Sequence, residues 1–149
     1  MNNLILVRHG QSQWNKEKRF TGWADIDLTE QGREEAKYAG KLIKELNLEF
    51  DACFTSFQKR AIDTLSTILN ILNKPNAEVK KAWELNERHY GALTGLNKDE
   101  MAIKHGHEQV HIWRRSFDIA PPKMDLSNPH HPTKNKIYKN IPIKKIPES

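Results

Sequence analysis

Apolar positions fall along this chain in short blocks and helical stripes. The first block, Leu4, Ile5, Leu6 and Val7, is closed by Gly10 and predicts a buried strand that ends in a turn. After Thr29, a residue suited to cap a helix, Ala36, Ala39, Leu42, Ile43 and Leu46 recur at helical spacing and predict a helix over roughly residues 30–46. Phe50 to Thr55 predicts a second strand. Ser56 is then the expected N-cap of a helix over Lys59 to Leu72, with Ala61, Ile62, Leu65, Ile68, Leu69 and Leu72 facing inward. Glu78 to Leu85 reads as a third strand or extended segment, and Glu87 to Gly95 as a glycine-punctuated loop. Asn97 with Glu100 has the spacing of a capping box for a short helix, and a further helix is expected over about Glu108 to Ser116.

Strand, helix, strand, helix at this spacing predicts a parallel sheet covered by helices, with the ends of the first two strands on a shared rim. Arg8, His9 and Arg60, the last in the first turn of its helix, are expected to meet there. From Phe117 the pattern stops. The final 33 residues contain six of the seven prolines and no glycine, and keep no sustained period. A stretch that long without regular structure is expected either to be disordered or to wrap a surface that is not in this chain.

At 149 residues the chain is expected to form one domain, with 1–116 as its α/β part and 117–149 as a proline-rich irregular part. The net charge of +5 is scattered among acidic residues, as in Lys16-Glu17-Lys18-Arg19, with no basic block or stripe. That pattern argues against a nucleic-acid partner and leaves small anions. The one cysteine, Cys53, lies between Ala52 and Phe54 and reads as a packing residue. The amino terminus reads neither as a signal peptide nor as a membrane span, so no membrane partner and a cytoplasmic location are expected.

The chemistry-bearing residues begin at the first strand's end. A neutral imidazole can attack a phosphoryl group in line and pass it on, which makes His9 a candidate nucleophile. The oxygens of that group need cations, and the guanidinium forks of Arg8 and Arg60 match them. Gly10, Ser12 and Asn15 offer neutral donors, although ordinary turn chemistry explains Ser12 and Asn15 equally well. Taken alone, Glu87 beside Arg88 reads as a surface pair, and Arg114-Arg115 as a solvated helix end.

Further motifs follow in order: Thr21-Gly22-Trp23; Asp27-Leu28-Thr29 with Gly32; Thr55-Ser56 with Lys59-Arg60-Ala61; and Glu87-Arg88-His89-Tyr90-Gly91. With these the chain resembles the histidine phosphatase superfamily. Leu96-Asn97-Lys98, Glu108-Gln109-Val110, Trp113-Arg114-Arg115 and Pro121-Pro122 narrow the resemblance to its cofactor-dependent phosphoglycerate mutases, from about Leu4 to Ser149. The resemblance implies a three-layer α/β sandwich with a mostly parallel sheet. It implies interconversion of 3-phosphoglycerate and 2-phosphoglycerate through a phosphohistidine at His9, primed by 2,3-bisphosphoglycerate without a metal. It further implies that Arg8 to Asn15 (Arg8, His9, Gly10, Gln11, Ser12, Gln13, Trp14 and Asn15) line the site, together with Arg60. Glu87 matches the general acid and base, with Arg88 and His89 in the binding set. Tyr90, Lys98, Arg114 and Arg115 match the residues that hold the substrate carboxylate and outer phosphate, and Thr21 and Gly22 match further contacts. The implied partners are small phosphorylated acids, with a homodimer open to a full-length form.

The chain departs from the family pattern in two ways. Gln11 stands where many members carry Glu, and no His-Gly-Asn motif supplies the second catalytic histidine. The chain therefore reads as a mutase stopped mid-fold. An inert fragment that only binds phosphorylated acids, or a phosphatase of the same superfamily, are the alternatives. One rival motif stands apart: His107-Glu108-Gln109-Val110-His111 spells H-E-x-x-H, the pattern of zinc proteases. A catalytic zinc needs a third protein ligand, and Asp118, Asp125, His130, His131 and Glu148 follow at no recognised spacing, so the metalloprotease reading ranks last.

Overall fold

The computed structural model describes residues 3–149. Leu4 to Val7 does not form the expected buried strand: Leu4 and Leu6 are 80% and 85% exposed, and no strand among the described residues pairs with them. An apolar run becomes a buried strand only where neighbours take up its backbone groups and cover its side chains, and here neither is present. His9 accordingly follows a segment without regular secondary structure rather than a sheet strand.

A short helix, α1 (Gln13–Lys16), precedes the first long one, α2 (Glu30–Glu45). Thr29 caps α2 as expected, its hydroxyl accepting from the Gly32 amide. The strand expected over Phe50 to Thr55 shortens to β1 (Cys53–Thr55), which buries Cys53 and Thr55 and exposes Phe54. Helix α3 (Lys59–Ile71) follows, capped by Gln58 rather than Ser56. The Ser56 hydroxyl instead accepts from the Gln58 amide, forming a turn that leads into the helix. β2 (Val79–Lys81) pairs in parallel with β1, Cys53 opposite Val79 and Thr55 opposite Lys81. Helices α2 and α3 pack on each other and α3 packs on β1, so the class is α/β with a parallel pair flanked by helix.

Beyond β2 the chain makes a 3-10 turn at Trp83–Leu85, another at Gly91–Leu93, and then helices α4 (Lys98–His105) and α5 (His107–Arg115). The Asn97 side chain caps α4 by accepting from the amides of Asp99 and Glu100. By their internal contacts the residues form two compact units. The first holds the chain up to Gln13 together with Ile26–Asn86; the second holds Trp14–Asp25 and Glu87–Ser149. The core of the second unit is Phe20, Leu93, Met101, Ala102 and Val110, with Tyr90 and Trp113 against it.

The segment from Phe117 departs from both expectations. It packs within the second unit, burying Pro121, Met124, His131, Pro132, Tyr138 and Ile141. Short 3-10 turns at Pro132–Lys134, Lys136–Tyr138 and Ile143–Lys145 satisfy its backbone locally, without any helix or strand period. Tyr138 fastens it: the ring lies 4.9 Å from Trp23 and the hydroxyl donates to the Trp23 carbonyl at 2.8 Å.

Candidate active site

In the first unit, the loop carrying His9 is held by backbone contact with α2. A Cβ on Gly10 would lie 2.1 Å from the Gly32 carbonyl oxygen, and one on Gly32 would lie 2.1 Å from that of Gln11. Only a glycine pair permits that approach. The Gln11 carbonyl accepts from the Thr29 amide at 2.9 Å, and the Gln11 amide donates to Glu35 at 2.8 Å. Ser12 is fully buried, in an antiparallel bridge with Leu28, and the Gln13 amide donates to the Asp27 carbonyl. The Asp27-Leu28-Thr29 and Gly32 motif is thus the clamp for the residues on either side of Gly10.

His9 is half-buried. Its Nδ1 lies 2.7 Å from the Gly10 carbonyl oxygen, and Arg60 Nε donates to its Nε2 at 3.2 Å. A carbonyl only accepts, so Nδ1 carries the proton and Nε2 presents its lone pair to Arg60. Arg60 is fully buried in the first turn of α3. Thr64, one turn later, donates to the Arg60 carbonyl at 2.8 Å and accepts from the Gly10 amide at 3.2 Å. That hydroxyl joins the helix bearing Arg60 to the loop bearing His9. Sequence reasoning missed Thr64; its place four residues after Arg60 was the available signal. Arg8, expected beside His9, has an exposed side chain.

In the second unit, Phe20 pairs by backbone with Gly95 and Leu96, which sets Thr21 and Gly22 beside the loop at Tyr90. Gly22 has φ of +52°, and a Cβ there would lie within 3.1 Å of the Arg88 carbonyl oxygen and 3.2 Å of Tyr90. Tyr90 packs edge-on against Phe20 at 5.2 Å. Burial raises its phenol above the ordinary range, and so does the charge of Glu87, while Arg114, Arg115 and Arg88 pull it down. Glu87, Tyr90, Arg114 and Arg115 are thereby brought within electrostatic reach of one another. Arg88 is tied to the end of α5, donating to the carbonyls of Ser116 and Ile119. His89 is buried, its Nδ1 accepting from the Gly91 amide at 3.0 Å, so its proton sits on Nε2. Burial, and then the charge of His131, lowers it to about 4. Lys98 has its ammonium 5.9 Å from the Phe20 ring centroid and lines a cleft with Arg114. Trp14 stacks edge-on with His130 at 5.1 Å, and the Asn15 carbonyl accepts from the Lys18 amide at 3.1 Å. Four buried polar atoms here have no hydrogen-bond partner: Thr21 Oγ1, Arg88 Nε, His89 Nε2 and Thr94 Oγ1.

Among the described residues no group of three or more His, Cys, Asp and Glu side chains is placed to hold a metal ion, and no helix is long and apolar enough to cross a membrane.

Curated relatives include the 2,3-bisphosphoglycerate-dependent phosphoglycerate mutase of Pelagibacter ubique (strain HTCC1062), 56% identical over all of this chain and 62% of that protein. The enzyme of the same name from Xylella fastidiosa (strain M12) is 56% identical over 97% of this chain and 58% of its own length. The chain spans about three fifths of the length of these curated relatives. Similar solved structures include the mycobacterial glucosyl-3-phosphoglycerate phosphatase in complex with VO3. It has a TM-score of 0.65 and 26% identity, over 76% of this chain and 53% of that one. A phosphoglycerate mutase from Bacillus anthracis str. Sterne gives a TM-score of 0.60 and 26% identity, over 70% of this chain and 47% of that one. The model of the histidine phosphatase superfamily (branch 1) matches residues 4–130, most of the sequence and all of the motifs from Arg8 to Arg115, and the chain belongs to that superfamily.

Proposed function

We propose that this chain carries the phosphoryl-accepting machinery of a 2,3-bisphosphoglycerate-dependent phosphoglycerate mutase, interconverting 3-phosphoglycerate and 2-phosphoglycerate. The observation that carries the reading is His9 itself: a proton pinned on Nδ1 by the Gly10 carbonyl, and a lone pair on Nε2 facing a buried guanidinium. Nε2 attacks the phosphorus, the P–O ester bond breaks, and the leaving oxygen takes a proton, a role that the family resemblance gives to Glu87. The ring gains positive charge as the N–P bond forms, and the Gly10 carbonyl stabilises it. Arg60 Nε–H passes from the lone pair to a phosphoryl oxygen, where a cation is needed. Glu87 then removes a proton from the accepting hydroxyl as the phosphoryl group returns at the other position.

The donor set of the second unit fits a multiply charged acid. Tyr90, Lys98, Arg114 and Arg115 hold carboxylate and outer phosphate, with Thr21 offering an unpartnered hydroxyl. Arg88, committed to two carbonyls, acts by holding the loop rather than as a ligand. Bound 2,3-bisphosphoglycerate supplies the phosphoryl group that charges His9, and the chemistry uses no metal. We place the activity in the cytoplasm, on small phosphorylated acids, within one catalytic domain and in a homodimer when the chain reaches the length of its relatives.

The test is incubation with radiolabelled 2,3-bisphosphoglycerate, on this chain and on one extended to the relatives' length. Acid-labile label is expected on the parent protein and none on His9→Ala. Label that survives the substitution overturns the assignment, and label that discharges only to water identifies a phosphatase.

A further inference from the structure

The H-E-x-x-H segment is left unused by the proposed reaction, and the structure gives it a definite setting. α5 runs His107–Arg115, so His107 and His111 stand one turn apart on one face of a continuous helix. Side chains so spaced have Cβ atoms about 5–6 Å apart, close enough for two imidazoles to reach one ion at about 2.0–2.1 Å. The helix is fixed beneath them by Val110, which is buried in the core of the second unit, and by Trp113 packed against that core. Both imidazoles line a single cleft of about 420 Å³, together with the carboxylates of Glu108 and Asp99. Asp99 is held by Lys18 at 2.7 Å.

We infer that His107 and His111 form a chelate for a borderline divalent transition ion such as zinc, nickel or copper, with water completing the coordination shell. Its chemical class follows from the neighbours. Lys98 and Arg114 line the same cleft and offset the charges of Glu108 and Asp99, so little net charge is left to hold a cation by electrostatics alone. Calcium and magnesium bind through oxygen and bring no affinity for imidazole, so the cleft rejects them. Zinc, nickel and copper favour imidazole nitrogen, and that preference supplies the affinity that the balanced charges of the cleft do not. With two protein ligands in place of the three of a catalytic zinc centre, the site binds the ion without protease chemistry. This inference stands independently of the mutase reading, because neither histidine takes part in that reaction.

Copper(II) is the probe, titrated into the 149-residue chain and followed by calorimetry and electron paramagnetic resonance. The tightest site is expected at one ion per chain, with hyperfine structure from two nitrogens, and unmoved by excess magnesium. His107→Ala and His111→Ala should each leave one nitrogen and weaken binding on the order of 100-fold, the loss of an intramolecular second ligand. His105→Ala, on the neighbouring helix, should leave the site intact. Both substituted histidines are exposed, so circular dichroism is expected to show folded variants. Unchanged affinity in either single variant, or equal competition by magnesium, overturns the inference.

Discussion

Around His9, hydrogen bonds account for the loop at each step: Nδ1 to Gly10, Arg60 to Nε2, Thr64 to the Gly10 amide, and Thr29 and Glu35 to Gln11. Around Tyr90, by contrast, Thr21 Oγ1, Arg88 Nε, His89 Nε2 and Thr94 Oγ1 are buried without partners. An unsatisfied buried polar atom costs about 1–3 kcal/mol. The first region therefore keeps a nucleophile in one geometry before any ligand arrives, whereas the second carries unmet hydrogen-bonding capacity. The difference matches two tasks, aiming an attack and receiving a polar acid.

The comparison breaks most readily at Arg60. Arg60→Met retains much of the volume and removes the guanidinium, so the rate of His9 phosphorylation should fall by about 100- to 1000-fold. Quench-flow labelling, with circular dichroism to verify the fold, measures it; a loss below tenfold means that the buried cation is structural.

Acid should act on the other region. His89 is held at about 4 against an ordinary 6.5, so the unfolded chain takes up a proton that the folded one refuses. Stability is full above about pH 6.5, declines as the pH falls towards 4, and levels off below, for a total loss of about 3 kcal/mol. Urea titrations across that range should show the slope, and His89→Gln should flatten it. An unchanged slope in the variant assigns the acid sensitivity elsewhere.

Two threonines sharpen the contrast with the smallest effects and opposite signs. Thr64→Val leaves the Gly10 amide unsatisfied and should destabilise by about 1–2 kcal/mol. Thr21→Val removes a hydroxyl that has no partner and should stabilise by up to about 1 kcal/mol while weakening the binding of phosphorylated acids. Thermal unfolding and ligand titration read both, and a shared sign in stability dissolves the distinction between the regions.

What was legible in the sequence was local. Thr29 and Asn97 cap helices because a short polar side chain before a helical stripe has few better uses, and Arg60 falls in a first turn because Lys59 opens α3. The pairing of His9 with Arg60 was expected from a rim shared by two strands, and it forms although the first of those strands does not. The exposure of Leu4, Leu6 and Val7 was not legible, since apolarity states what a strand needs and not whether a neighbour supplies it. The packing of residues 117–149 was hidden for a different reason: successive 3-10 turns, with side-chain caps at His131 and Asn135, repeat no period that could be read. Thr64 was overlooked because its place one turn after Arg60 does not reveal that its hydroxyl also accepts from the Gly10 amide, 54 residues away.

The bond from Tyr138 to Trp23 closes a sequence separation of 115 residues. During synthesis the first unit has all its segments once Asn86 has emerged, but in the second Phe20 waits for Gly95 and Leu96, and Trp23 waits for Tyr138. Contacts of such long range slow folding, because the loop must close before they stabilise anything. Ribosome-bound chains should therefore acquire their protease resistance in two stages, with Trp23 and its neighbours the last to be shielded.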